Sequence, residues 1–512
     1  MRSARAAIFF ACFGFFLVTN SREVLWADSK SAYLVAEHLV RNQRIDIGYA
    51  WPEGVPRGRN GKFYSVYPAL TSAVHLPGAA LQELVRRAWP KAGGFAHPIT
   101  GHLSCAALAA LACVLFFGLC RKLGVSAGVA SAATVALATA TLLWPYAHDP
   151  FSEALQAACF TGFFAALLDT AERRARGFAL GAWAGLLVNA KLILVLALPG
   201  AAVYLAARLW GDWRRLGRVV ASAALAFAPF LALVLAYSYA RTGSFVETAV
   251  TANENLFKEN AIFGLWGFFA SLGKSVFRYS PPLLVSLAAL PLFWRRHRAV
   301  AIALLVTAGP ILLAYGKYSM WPGDHAWGPR YLVFLHPLLL LPATLLVQDL
   351  VRQGLRRWHK IALGLVFACG VAAQCLGIVF WRGHWIRISY EVDRAWLGKP
   401  TTNNLDGFEW YYLRAWLPPF DPLEGHLWML RHVVTGDSAE IAEADAPWRR
   451  YTKGRYLPAP VYDGIKVDWW PLLFIKDHPA YRWAGGLLLG AEVLLLGAGA
   501  WLWLRALREP TL

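Results

Sequence analysis

Residues 98–122 read PITGHLSCAALAALACVLFFGLCRK, and this stretch decides the fold. An apolar run of about 20 residues crosses the hydrocarbon core of a bilayer as a helix, and Arg121-Lys122 closes this one on its far side. A second run, 125–145, leads back to Trp144-Pro145-Tyr146-Ala147-His148-Asp149-Pro150-Phe151-Ser152-Glu153, a turn without a basic cluster. Working outward, comparable runs lie near 6–18, 151–170, 178–190, 192–208, 218–238, 279–294, 298–316, 331–349, 360–380 and 481–504. The expected fold class is therefore an all-α polytopic membrane protein with about 12 transmembrane helices. Composition agrees: of 512 residues 57% are hydrophobic and only 16% charged, with mean hydropathy +0.42. A soluble chain carries about 25% charged residues, so a water-soluble enzyme is excluded. Cys12, Cys105, Cys113, Cys120, Cys159, Cys369 and Cys375 all lie within or beside apolar runs, which argues against a disulfide framework or a zinc site.

The net charge of +19 matters less than where the cations fall. Arg121-Lys122, Arg173-Arg174 with Arg176, Arg214-Arg215 with Arg218, Arg295-Arg296 with Arg298, and Arg356-Arg357 with Lys360 occupy one set of connections. Arg2 and Arg5 at one terminus, and Arg505 and Arg508 at the other, join that set. The positive-inside rule places it in the cytoplasm. The run Ala6–Val18 lacks a small-residue cleavage site after it and reads as an uncleaved first span. Parity requires 178–208 to be a hairpin turning near Asn189-Ala190-Lys191. It also requires Val66–Pro90, broken by Pro68, Pro77 and Gly78, to lie along the membrane as an interfacial helix. The outward-facing segments are then 21–97, 146–150, 239–278, 317–330 and 381–480. The chain divides into a membrane core (1–350), a further span (351–380), an outer segment of mixed structure (381–480), and a last span with its tail (481–512).

Polar residues concentrate on the outer side, where each needs a partner or water. Asp28 stands at the start of a helical pattern through Glu37 and Leu39, where a capping role is the plain alternative. Lys62 and Tyr64 suit a phosphate headgroup and an interfacial aromatic belt equally well. His148, Asp149 and Glu153 crowd one membrane edge, with Glu153 entering the next span; Lys191 at the hairpin turn is the obvious partner for that carboxylate. Lys274, Arg278, Lys317 and Arg330 are outer-side cations that positive-inside asymmetry does not explain, whereas anion binding would. Carboxylates, a histidine and cations at one rim suit a phosphate-bearing lipid, a carboxylate base and a phosphate leaving group.

The order of these motifs, through "Gly-Lys-Ser-Val-Phe-Arg-Tyr-Ser-Pro-Pro" (273–282) and "Trp-Pro-Gly-Asp-His-Ala-Trp-Gly-Pro-Arg-Tyr-Leu" (321–332), resembles bacterial membrane glycosyltransferases of the GT-C superfamily. These are relatives of the protein O-mannosyltransferases and the lipid A aminoarabinose transferases, and the resemblance covers roughly residues 5–350. It implies inverting transfer of a sugar from a polyprenyl-phosphate donor to a lipid, polysaccharide or protein acceptor, at the periplasmic face of a bacterial inner membrane. It maps the catalytic base onto Asp28, although Asp28-Ser29 replaces the paired acids of many relatives. A second acidic position maps onto Asp149 or Glu153, with His148 beside them. The donor phosphate maps onto Lys62, Tyr64, Lys191, Lys274, Arg278 and Arg330, and the sugar or acceptor onto Asp324, His325 and Trp327. No cofactor or nucleic acid is expected, and a divalent cation is allowed without being required. A transporter of lipid-linked saccharides is the alternative from another class, and a polysaccharide ligase or polymerase the alternative within enzymes.

Overall fold

The computed structural model describes the chain except residues 1, 22–26, 49–57, 59, 149, 173–176, 246–253, 324–325, 398–414, 418–420, 437–445, 447–448, 450–464, 466 and 509–512. At 2, 27–29, 92–99, 254–255, 382, 390 and 392–397 it describes the backbone alone. The helices are α1 (Arg2–Val18), α2 (Ala27–Asn42), α3 (Ala69–Ala73), α4 (Leu76–Ala88), α5 (Gly93–Lys122), α6 (Ala127–Thr139) and α7 (Leu143–Ala147). Next come α8 (Glu153–Glu172), α9 (Phe178–Ala190), α10 (Ala197–Arg208), α11 (Trp213–Thr242), α12 (Ala261–Ala270), α13 (Val276–Tyr279), α14 (Pro282–Arg296) and α15 (Arg298–Lys317). The last are α16 (His336–Leu339), α17 (Leu341–Arg352), α18 (Arg357–Val379), α19 (Arg382–Leu397), α20 (Pro422–Thr435) and α21 (Arg482–Arg508). The extended pairing seen among the described residues is an isolated antiparallel bridge between Phe380 and Val467.

Every expected span falls on helix, and among the described residues 7 helical stretches are long and apolar enough to cross a membrane: 100–122, 153–172, 213–242, 298–317, 330–352, 357–379 and 479–508. The others are shorter. The run 125–145 divides where α6 ends at Ala140, and α14 has 15 residues between Pro282 and the Arg295-Arg296 pair. Burial sorts the long helices into centre and rim. In α8, 89% of the apolar window is buried, against 6% in α11 and 17% in the last helix. A uniformly apolar α8 is thus a core element, while α11 and α21 turn most of their apolar surface outward, as lipid-facing helices do.

Close backbone approach at glycine joins these helices. A Cβ on Gly14 would come within 2.6 Å of the Leu496 amide nitrogen, and one on Gly499 within 2.4 Å of the Ala11 nitrogen, so α1 and α21 lie backbone to backbone. Gly181 of α9 meets the Ala223 carbonyl of α11 in the same way, and Gly200 of α10 the Val306 carbonyl of α15.

The Arg-rich connections gather at one end. Lys122 reaches Asp169 at 2.9 Å, Arg215 donates to the Thr170 carbonyl, Arg296 pairs with Asp349, and the Ser126 amide donates to Gln348. At the other end Trp144 Nε1 donates to Thr19, which also bonds His148 Nε2 at 3.0 Å, and Trp469 and Trp470 donate to the carbonyls of Val18 and Leu17. We call this second end the outer end. Between them α9 and α10 form the expected hairpin. Its apex is Lys191, whose extended backbone (φ −164°, ψ 127°) separates α9 from a 3-10 turn. The 13 residues of α9 rise about 20 Å, short of the roughly 30 Å hydrocarbon core. Lys191 is thereby presented inside the bundle.

The segment 66–90 folds as α3 and the amphipathic α4, packed on α2 and α5. Glu83 of α4 accepts from Arg86, Arg87 and Arg41, linking α4 to α2. These guanidinium groups hold its carboxyl down at about 2.

Gly14→Val is expected to lower the thermal stability of the purified protein by about 1–3 kcal/mol; an unchanged unfolding midpoint in detergent would show that α1 and α21 are not in contact. Because the Glu83 carboxyl is depressed by folding, its stabilising contribution is complete above about pH 4.5 and fades as pH falls toward 2. Protease cleavage between residues 42 and 76 should accelerate across that window, and Glu83→Gln should flatten the acid dependence.

Candidate functional site

The hairpin apex delivers Lys191 to the end of α15 and to the 3-10 turn 330–335. Its Nζ stands 4.7 Å from the Tyr331 ring centroid and 5.7 Å from that of Tyr315. The two rings are stacked at 4.8 Å and 15°, and Tyr318 meets Tyr331 edge-on at 5.6 Å. Arg330 lies on the same aromatic surface, 5.0 Å from the Tyr331 centroid and 5.5 Å from Phe151, and donates to the Tyr331 hydroxyl at 3.0 Å. Gly323 (φ +73°) allows this placement, since a Cβ there would meet Arg330 Cγ at 2.8 Å. Ring faces attract cations, so the Tyr331 ring brings two positive groups near one another.

Glu153 opens α8 beside this cluster. It is buried, and its Oε2 finds no hydrogen-bond partner among the described residues. The ion pair expected between Glu153 and Lys191 does not form. The hairpin ends with the ammonium over the tyrosine faces, so the carboxylate enters the bundle unpaired. His148, bonded to Thr19, fixes the turn leading to α8. Asp149 lies outside the described residues.

The segment 58–67 makes a second group. Lys62 is half exposed and reaches Asp46 at 3.6 Å, while Arg44 holds the same carboxylate at 2.5 Å. Burial would raise the Asp46 carboxyl, but Arg44, then Lys62 and His38, bring it below the ordinary value. Tyr64 is buried and its hydroxyl accepts from Asn60 at 2.7 Å. Ser31, one turn after Asp28 on α2, bonds Ser65 Oγ at 3.0 Å, and the Ser65 carbonyl accepts from Arg241 at 2.6 Å. Arg241, at the end of α11, is buried and stacks on Tyr237 at 4.5 Å. Sequence reading missed it because it sits in an outer-end helical turn with nothing to distinguish it from a snorkelling cation. The Asp28 backbone belongs to α2; its side chain lies outside the description. The two groups connect through α3, where Thr71 donates to the carbonyl of Ala190, the residue before Lys191. Burial pushes the Tyr33 phenol of α2 up to about 12 and the nearby His75 imidazole down to about 4, so both are neutral at pH 7.

Of the remaining cations, Lys274 serves the loop 317–330 and Arg278 joins other partners. Lys274 is buried and donates to the Ala326 carbonyl at 2.6 Å and the Gly328 carbonyl at 3.3 Å, bracing the loop that ends in Arg330. Arg278 pairs with Asp421, the N-cap of α20, and donates to the Leu272 carbonyl at 2.7 Å. Burial pushes the Asp421 carboxyl up, against the pull of Arg278. Trp327 is 2% exposed, edge-on to Tyr279 at 5.1 Å and against His426 at 4.6 Å, while its carbonyl accepts from Tyr146. It is a packed anchor in this structure rather than an open platform. Asp324 and His325 lie outside the described residues. Among the described residues no three His, Cys, Asp or Glu side chains are placed to hold a metal ion.

Comparison with solved structures finds a likeness to the crystal structure of ArnT from Cupriavidus metallidurans in the apo state. The identity is 16% and the TM-score 0.48, over 95% of this chain and 75% of that one. No protein-family model matches the chain, and no curated protein matches it.

Replacing Glu153 by Met, similar in volume and uncharged, is expected to raise the unfolding midpoint in detergent by an amount worth about 1–2 kcal/mol, since it removes a buried acceptor that lacks a partner. A lower midpoint would show that the carboxylate has a stabilising partner in the protein.

Proposed function

We propose that the chain is a membrane-embedded inverting glycosyltransferase that takes a sugar from a polyprenyl-phosphate donor at the outer, periplasmic end of the bundle. The observation that carries this reading is the pairing of Lys191 and Arg330 on one aromatic surface beside Glu153. The arrangement offers two positive groups to an anion toward the outer end of the bundle, each seated on an aromatic ring. The motif order that resembles GT-C enzymes supports the same reading.

In the proposed step the Asp28 carboxylate takes the proton of the acceptor hydroxyl as its oxygen attacks the anomeric carbon. The bond from that carbon to the phosphate oxygen breaks, and the polyprenyl phosphate leaves with the additional negative charge held by Lys191 and Arg330. A phosphate leaves without protonation, so no second acid is needed. Glu153 or Asp149 orients the acceptor, and Lys62 and Tyr64 line the route to Asp28. Lys274 acts by positioning the loop that carries Arg330, and Arg278 by pairing with Asp421. Trp327 anchors that loop, and Asp324 and His325 are assigned to the sugar or acceptor side.

Asp28→Asn should lower sugar transfer in membranes roughly 10²–10⁴-fold at normal expression, and Lys191→Gln about 10²-fold or more. Full activity in Asp28→Asn would remove the base. Liposomes holding labelled lipid-linked saccharide separate the alternatives: lipid movement without a new glycosidic bond assigns transport, and products carrying whole chains assign a ligase or polymerase.

A further inference from the structure

At the Arg-rich end, away from the site just described, a cavity of about 580 Å³ lies between α1, α5, α8 and α9. Arg5, Arg121, Lys122 and Asp169 form its polar side, and Leu115 and Trp183 are among its apolar walls. A Cβ on Gly118 would sit in ordinary contact with Arg5 Nη2 at 3.4 Å, which places the Arg5 guanidinium beside α5. A Cβ on Gly162 would strike the Trp183 indole at 2.6 Å, so that ring lies flat on α8.

The charges there are unequal. Lys122 is taken up by Asp169 at 2.9 Å and Glu172 at 3.6 Å. Arg121 gives one nitrogen to the Val125 carbonyl at 2.5 Å, which leaves its other donors, and Arg5 is exposed. With Asp169 already matched, the free chemistry of the cavity is two guanidinium groups above an apolar, indole-walled space. Guanidinium forks match phosphate oxygens, a volume of this size suits a small ligand, and basic pockets between transmembrane helices on this side take anionic headgroups.

We propose that this cavity binds one anionic glycerophospholipid, its phosphodiester on Arg5 and Arg121 and an acyl chain along the wall that includes Leu115 and Trp183. The site is separate from the sugar-transfer chemistry and stands or falls without it.

The test uses the full-length protein, delipidated in neutral detergent, with native mass spectrometry and thermal unfolding as readouts. Phosphatidylglycerol should be retained as one molecule per chain and raise the unfolding midpoint by several degrees. Arg5→Gln, which changes an exposed side chain, and Gly118→Leu, which fills the cavity, should each cut retention at least fivefold. The Arg5→Gln protein alone suffices if the bulkier variant does not fold. Equal retention of phosphatidylcholine or phosphatidylethanolamine overturns the proposal, the latter by assigning Asp169 to an ammonium group. An equal shift from inorganic phosphate overturns it in favour of a free anion, and wild-type retention in Arg5→Gln overturns it outright.

Discussion

A positive charge carried into a helical bundle has to be met by something, and here the faces of stacked tyrosines meet it. The contact of Lys191 with Tyr331 and Tyr315 fixes the rest of the outer end. It requires α9 to stop short and α10 to return. It requires α15 to end where Tyr315 can stack, and the chain after Pro329 to turn as a 3-10 segment that presents Tyr331 and Arg330 together. The ring faces hold the ammonium in place, and Glu153 stands close by without pairing with it.

Much of this was legible in the sequence, for identifiable reasons. Hydropathy located the 7 long apolar helical stretches because the bilayer imposes one length scale on them, and it placed the shorter runs on helix as well. The arginine clusters sorted the two ends, and parity alone then demanded a hairpin at 178–208 and put Lys191 at its apex. What the sequence could not reveal was which cations are already occupied. Lys274 and Arg330 look alike in a list of outer-side charges. One is buried against the carbonyls of Ala326 and Gly328, some fifty residues further along, while the other rests on rings. Arg278 is likewise claimed by Asp421, and Lys62 by Asp46. Local spacing carries no signal for such long-range partners. The stacking of Tyr315 on Tyr331 was hidden for the same reason.

The outer segment that resisted reading is not an appendage where it is described. The Ala415 carbonyl accepts from Gly273, Asp421 pairs with Arg278, Asp468 accepts from Ser21, and His426 packs against Trp327. These contacts fall on the segment 273–278, on Trp327 of the loop bearing Arg330, and on the chain just after α1. The segment therefore touches the same loop that Lys274 braces.

The interlock of Gly14 with Leu496 and of Gly499 with Ala11 joins two helices that lie about 480 residues apart in the chain. During synthesis α1 leaves the ribosome hundreds of residues before its mate exists, so its bare flank must wait in lipid or under the care of an insertion factor. A ribosome that stalls before residue 482 releases a bundle whose α1 lacks this partner, and quality control has a bare glycine-bearing flank to recognise.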